Sequence, residues 1–324
     1  MSNSTLLAVE DLRVFFNSPL GTVKAVDGVD FQLKHGESVA LVGESGCGKS
    51  VTSLSIMGLV ASPPGELKSG RIKYSDKNLL EMNEKEMRVL RGNEISMIFQ
   101  DPMSSLNPVV RIGAQIVEVL RIHKDISKKA AHQKAIQLLT RVGISRPGEI
   151  ANAFPHQISG GMKQRVMIAI ALACKPRLLI ADEPTTALDV TIQAQIMDLI
   201  KELIQDLNMT LLLITHDLGL VADTCERVIV MYAGKIVEEA NVKALFRSPR
   251  HPYTVGLLKA IPSLNNDRDK RLYTIPGTVP IPLELPQGCA FSPRCKHATP
   301  RCSDELPPVV ELENSRRVCC WLFS

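Results

Sequence analysis

A chain of 324 residues, 45% hydrophobic and 22% charged, has the balance of an ordinary globular protein, with room for one large domain and a small appendage. Its net charge of +4, with no basic run interleaved with aromatics, gives no ground for a nucleic-acid partner. The N-terminal stretch turns acidic at Glu10 and Asp11 before any signal-peptide core can form, and apolar runs such as residues 166–174 fall far short of the roughly 20 residues that span a bilayer. A soluble, cytoplasmic chain is therefore expected, with membrane work left to partner subunits.

From residue 6 to about residue 100, β-rich runs alternate with turns, and strands are predicted over residues 7–16, 23–33, 38–42 and 95–99. From 101 to about 154 apolar residues recur at three- and four-residue spacing, which predicts helices over 112–122 and 128–142. After Pro155 strand and helix alternate again: a strand over 178–181, a helix over 192–207, and strands over 210–215 and 227–232. This alternation predicts an α/β fold with a largely parallel, helix-covered sheet and a helical insertion. Beyond about residue 249, prolines at 276, 280, 282, 286, 293, 300, 307 and 308 leave little room for long helices or central strands. Such a tail cannot build much of a core, and a metal staple is the physical remedy. Cysteine usage points the same way: Cys47, Cys174 and Cys225 are scattered, whereas Cys289, Cys295, Cys302, Cys319 and Cys320 crowd the tail. In a cytosolic chain such a cluster suggests metal binding rather than disulfides.

The run Gly43-Glu-Ser-Gly-Cys-Gly-Lys49-Ser50 follows an apolar strand and opens a helical run, the context that a P-loop requires. Its glycines let backbone N–H groups approach phosphate, and a helix N-terminus faces the anion. Gly43, Ser45, Gly46, Cys47, Gly48, Lys49, Ser50 and Val51 are thus candidate nucleotide contacts, with Lys49 for the β- and γ-phosphates and Ser50 for Mg²⁺. Cys47 has two readings: a small residue that merely packs, or a thiol of lowered pKa at a helix N-terminus, open to alkylation and protected by ATP. The apolar strand that ends in Asp182 and Glu183 supplies a second Mg²⁺ ligand in Asp182 and a base for the attacking water in Glu183. No Asn-Lys-x-Asp motif is present, which weighs against a GTPase.

Between these two motifs stands Ile158-Ser-Gly-Gly-Met162, which resembles the signature of ABC-family ATPases, usually Leu-Ser-Gly-Gly-Gln. Ser159 reads as the N-cap of a helix starting near Gly161. The resemblance implies that Ser159, Gly160 and Gly161 act on ATP held by a partner's P-loop; the departures at Ile158 and Met162 spare those contacts. Gln100 resembles the Q-loop glutamine, which touches Mg²⁺ and water; Ala187-Leu-Asp189 resembles the D-loop at the dimer interface; His216 resembles the switch histidine that holds the γ-phosphate against Glu183. Adenine stacks on an aromatic upstream of the P-loop, here Phe15 or Phe16, and Phe16 is favoured for its position beside the turn.

More extended matches narrow the resemblance. The stretches 98–108, 154–157, 181–195 and 250–254, with Gly288-Cys289, Cys295 and Cys302 in the tail, are similar to the dipeptide/oligopeptide importer ATPases, over almost the whole chain. The resemblance implies a P-loop NTPase fold with an ATP-binding domain over 1–260, a helical subdomain over about 101–160, and a cysteine-bearing tail over 261–324. It also implies a homologous second ATPase as heterodimer partner, two membrane permeases and an extracytoplasmic peptide-binding protein, with the chain at the cytoplasmic face of the membrane. Two chains then sandwich two ATP molecules; closing the sandwich turns the permeases outward and hydrolysis reopens the sandwich. Nickel or other small-solute importers of the same subfamily are the alternative, and a redox-regulated soluble ABC ATPase is the rival. For the tail, the spacing lacks the paired Cys-x2-Cys knuckles of zinc ribbons, although zinc stays open. The resemblance implies a four-iron, four-sulfur cluster on Cys289, Cys295, Cys302 and Cys320, with Cys320 preferred over Cys319 because it aligns without a gap.

Overall fold

The structure is a computed structural model and describes residues 4–101, 105–186, 188–261, 273–280, 283 and 285–324. Pro102, Met103 and Ser104 after Asp101, Ala187 before Leu188 and Pro282 of the tail lie outside the described residues. The chain divides into two compact units, one built mainly from residues 81–213 and one from residues 4–34, 38–80 and 214–324.

In the second of these units, β1 (Thr5–Ser18) and β2 (Gly21–Lys34) pair antiparallel. Alternation sets the faces of β2: Val29, Phe31 and Leu33 are buried while Asp30, Gln32 and Lys34 face solvent. β3 (Ser38–Val42) is instead a short apolar run buried almost throughout, as expected of a strand covered on both faces. β4 (Gly65–Tyr74) pairs with β1 and β5 (Lys77–Asn78) with β4, which completes a four-stranded antiparallel sheet.

In the other unit β6 (Ile95–Ile98) and β7 (Leu178–Asp182) pair in parallel, and every residue of both is buried. The helix Ile112–His123 buries Ile112, Ile116 and Leu120, and Lys128–Arg141 buries Ala131, Ala135 and Leu139, each set at the four-residue spacing that makes one face. Ser127 caps the second of these by accepting the Ala130 N–H. β8 (Thr210–Thr215), wholly buried, runs from this unit into the strand-rich one.

There β9 (Arg227–Tyr232) pairs in parallel with β3, and β10 (Lys235–Asn241) turns back antiparallel on β9. The tail adds β11 (Val309–Leu312) and β12 (Arg316–Cys319), with β12 paired antiparallel to β10. β3–β9 and β6–β7 pair in parallel, as the strand–helix alternation predicts, and the ladders β1–β2, β1–β4, β4–β5, β9–β10, β10–β12 and β11–β12 are antiparallel. A strand over 65–74 is not predicted from the residue pattern, because only Gly65, Ile72 and Tyr74 of β4 are buried.

Of the hydrophobic residues described after position 273, Phe291, Val318 and Cys320 are buried, in keeping with a tail poor in core. Charge compensates. Glu238 of β10 is fully buried and accepts hydrogen bonds from the Arg316 guanidinium and from the backbone N–H groups of Arg250 (3.0 Å) and His251 (2.8 Å). Glu239 beside it pairs with Arg227 and Arg317. Removing one partner of a buried ion pair strands the other charge and costs about 3–5 kcal/mol. Glu238→Ala is accordingly expected to release β11 and β12, and their amide hydrogen exchange should accelerate by roughly two to four orders of magnitude. Unchanged exchange there would refute the anchoring role.

Candidate nucleotide site and cysteine-lined cavity

β3 ends in a loop with no room for side chains at its two turning points. Gly43 has φ +154°, and a Cβ there would lie 2.3 Å from the Met231 carbonyl oxygen and 2.7 Å from Cys47 Sγ. Gly48 has φ +105°, and its Cβ would stand 2.3 Å from the Ala25 carbonyl oxygen. Gly48 is also the N-cap of the helix Lys49–Ile56, whose first turn carries no acidic residue. Lys49 is buried, and its Nζ donates to the carbonyls of Gly43 (2.8 Å) and Glu44 (3.1 Å), with Cys47 Sγ at 3.7 Å. The ammonium is thus held inside the loop by main-chain oxygens, where a phosphate can recruit it without desolvating it anew. Ser45 and Gly46 are exposed on the loop, and Val51 is partly buried in the first turn of the helix.

Burial settles the Cys47 alternatives. The thiol is 2% exposed, and desolvation pushes its pKa up despite the Lys49 ammonium beside it. The reading of Cys47 as a thiol of lowered pKa is corrected to the packing one.

In the unit of residues 81–213, Gln100 and Glu183 meet: the Gln100 amide donates to Glu183 Oε2 at 3.0 Å. Thr186 Oγ1 donates to the same oxygen at 2.9 Å, a contact that sequence reasoning missed although the hydroxyl lies only three residues on. Asp182 ends β7 buried, whereas Glu183 is partly exposed with φ +46°, a left-handed conformation unusual for a long side chain. Two adjacent carboxylates are thereby given different surroundings.

Ser159 is the N-cap of the helix Gly160–Ala171 and accepts the Met162 N–H, as its sequence position predicts. Ile158 is buried while Ser159 and Gly160 are exposed, so the helix presents its N-terminal end at the surface. Asp189 is exposed and caps the helix Val190–Leu207 through the Ile192 N–H at 2.9 Å, a structural duty beside any interface role. His216 is exposed at the end of β8, in the strand-rich unit. Phe15 and Phe16 are both partly buried, and a register shift between Val14 and Phe15 breaks the simple alternation expected of β1. The Lys24 ammonium lies over the Phe15 ring at 5.8 Å, and the Phe16 ring packs beside Gly65.

The tail encloses a cavity of about 190 Å³ lined by Cys289, Cys295, Cys302 and Cys320, together with His251 and Ser292. Cys319, one residue from Cys320, lines a separate cavity of about 60 Å³ and donates to the Pro307 carbonyl at 3.1 Å. Cys295 Sγ accepts the His297 N–H at 3.4 Å, and Cys302 Sγ accepts the Thr299 N–H at 3.5 Å. Ser292 Oγ is buried and has no hydrogen-bond partner among the described residues. Burial pushes the Cys289 thiol to about 11, and burial also raises Cys295 and Cys320. Burial likewise holds His251 neutral, with its pKa lowered to about 3, and its Nδ1 accepts the Tyr253 N–H at 3.1 Å. Among the described residues no group of three or more His, Cys, Asp or Glu side chains converges closely enough to hold a single metal ion.

Residues 26–186 match the family model described as ABC transporter, and residues 237–302 match that of the oligopeptide/dipeptide transporter C-terminal region. The chain is 55% identical over 320 residues to the oligopeptide transport ATP-binding protein AppD of Bacillus subtilis (strain 168), covering 99% of this chain and 97% of that one. It is 50% identical to the dipeptide transport ATP-binding protein DppD of Escherichia coli (strain K12), covering 97% of this chain and 96% of that one. A solved structure described as a dimeric post-hydrolysis state of the ATP-binding cassette MJ0796, bound to ADP and Pi, superposes with a TM-score of 0.66 at 26% identity. That likeness covers 73% of this chain and 98% of the cassette.

A buried thiol of raised pKa reacts only when the loop opens. N-ethylmaleimide at pH 8 is expected to label Cys47 about a hundredfold more slowly in the folded chain than in urea. Peptide mapping of the adduct reads this, and equal rates in the two states would restore the activated-thiol reading.

Proposed function

This chain belongs to the ABC transporter family, and on that premise we propose that it powers the uptake of dipeptides or oligopeptides. It is an ATPase of that family. One observation carries the cargo reading: ATP-binding motifs and a C-terminal region of the oligopeptide/dipeptide transporter type occur in the same chain. Among the described residues no helix is long and apolar enough to cross a membrane. Translocation therefore falls to two permease subunits, with this chain attached at their cytoplasmic face, a homologous second ATPase beside it and an extracytoplasmic peptide-binding protein delivering cargo. The division into an ATP-binding domain over 1–260 and a tail over 261–324 belongs to the same proposal.

The residues take the following roles. The loop N–H groups between Gly43 and Ser50 cradle the phosphates, and the Lys49 ammonium neutralises the β- and γ-phosphates. Ser50, Gln100 and Asp182 offer hydroxyl, amide and carboxylate oxygens, a hard donor set suited to Mg²⁺, which when bound polarises the γ-phosphate. Glu183 orients the attacking water and takes its proton; support comes from the Gln100 and Thr186 hydrogen bonds that fix one carboxylate oxygen. His216 holds the γ-phosphate in place. Phe16 stacks on adenine. Ser159, Gly160, Gly161 and Asp189 serve the nucleotide across the dimer, a role supported by the exposure of Ser159, Gly160 and Asp189.

Cys289, Cys295, Cys302 and Cys320 hold a four-iron, four-sulfur cluster in this proposal, with zinc as the alternative. Supporting it are the shared cavity, the N–H groups donated to two of the sulfurs, and the buried Ser292 hydroxyl at the same cavity, which has no partner among the described residues. Four thiols around an open space suit a polynuclear cluster better than one zinc ion, whose thiolates must close to about 2.3 Å from the metal. When bound, the cluster staples the proline-rich tail.

Two experiments test these readings. In proteoliposomes with its permeases, Glu183→Gln should still bind ATP while steady-state hydrolysis falls by about 10² or more. A dipeptide or oligopeptide, and not nickel, should stimulate the unaltered complex; stimulation by nickel alone reverses the cargo assignment. Anaerobically purified chain should carry about four iron atoms, which Cys320→Ser loses and Cys319→Ser keeps. A colourless preparation with one tightly held zinc decides for the alternative.

A further inference from the structure

The structure gives Arg294 a position that nothing in the sequence motifs explains. It closes the 3-10 turn Ser292–Arg294, between Cys289 and Cys295. The Ser292 N–H donates to the Cys289 carbonyl (2.9 Å), and the Arg294 N–H donates to the Phe291 carbonyl (3.0 Å). The Cys295 N–H completes the turn at the Ser292 carbonyl (3.2 Å). From this turn the side chain, 4% exposed, reaches the P-loop. Its Nη1 donates to Glu44 Oε2 at 2.7 Å and its Nη2 to Glu44 Oε1 at 3.1 Å. Nη1 also meets the Tyr232 hydroxyl at 3.3 Å, and Nε donates to the Pro276 carbonyl at 3.0 Å. The fork is therefore fixed on every side before it meets the carboxylate.

Glu44 is gripped a second time from the same direction, because its backbone N–H donates to the Tyr253 hydroxyl at 2.8 Å. Tyr253 and Tyr232 pack edge to face with ring centroids 4.6 Å apart, and Phe291, next to the turn, packs on both. Glu44 in turn helps to hold the phosphate-binding lysine: its carbonyl and that of Gly43 receive the Lys49 ammonium. One residue thus carries the arginine fork on its side chain and the lysine amine on its main chain.

We propose that Arg294 is a positioning residue for nucleotide binding, fixing Glu44 and through it the Lys49 ammonium, so that the cysteine-bearing tail and the P-loop form one coupled element. A bidentate fork sets both the distance and the plane of the carboxylate, which a lysine at the same place cannot do. Coupling of this kind is reciprocal: ATP bound at the loop tightens the tail by the same factor by which the ordered tail tightens ATP. The proposal rests on the reading of the chain as an ATPase, and failure of that reading would show separately as no hydrolysis by the unaltered complex.

The test uses the full chain assembled with its permeases. Arg294→Ala and Glu44→Ala are each expected to raise the KM for ATP about tenfold while kcat stays within about twofold, because neither side chain touches the reacting atoms. Arg294→Lys should recover little of the loss. The double variant should be no worse than either single one, whereas independent roles would multiply to about a hundredfold. A second readout is hydrogen exchange over residues 289–302. Added Mg²⁺ and ATP should slow it in the unaltered chain and leave it unmoved in Arg294→Ala. Should Arg294→Ala fail to fold, Glu44→Ala breaks the same contact from the loop side with every tail residue unaltered, and carries both readouts alone. A KM within twofold of the unaltered chain in the folded variants, multiplicative loss in the double variant, or protection of the tail by ATP in the Glu44→Ala chain would each overturn the proposal.

Discussion

A triphosphate can be held only where fixed donors already surround an anion-sized space, and in this protein that constraint falls on the main chain between Gly43 and Lys49. The loop turns back so tightly that a single methyl group at Gly43 or Gly48 would run into a backbone carbonyl. Its amine is moored to its own carbonyls rather than left to solvent. The surrounding strands serve this geometry. β3 and β9 pair in parallel and are buried almost throughout, so the loop springs from the packed interior of its unit.

Much of this was legible because its carriers are consecutive residues. The P-loop, the acidic strand end and the serine cap of the helix Gly160–Ala171 each announce themselves within a few positions. The helices near 112 and 128 were legible through four-residue spacing and end within about two residues of expectation. β4 was not, since a strand with three buried residues in ten leaves no alternation to read. The helix Glu84–Leu90 could have been found from its capping box, in which Asn83 and Glu86 exchange side-chain and main-chain hydrogen bonds. The pairing of Glu44 with Arg294 was out of reach. It joins residues 250 positions apart, and nothing local marks either one.

The tail shows how a segment poor in apolar residues finds a fixed place. It does not build a second core; it adds β12 to the edge strand β10, and the buried carboxylate of Glu238 meets the guanidinium of Arg316 beneath the new ladder. Strand alternation then separates Cys319 from Cys320, so that two neighbours in sequence line different cavities. A one-residue slip of β12 would exchange them and would also withdraw Arg316 from its partner, so the register is guarded by charge as well as by pleat.

The left-handed backbone at Glu183 has an evolutionary and practical consequence. Most residues pay conformationally to sit there, and glycine does not. Changing this glutamate to glycine would therefore ease the backbone while removing the proposed base, so stability and turnover would pull in opposite directions at one codon. Chains that have lost their chemistry in this way would accumulate well in a cell. The yield of folded protein is consequently a poor guide to whether a variant still drives transport, and selection for expression alone would drift toward inert subunits.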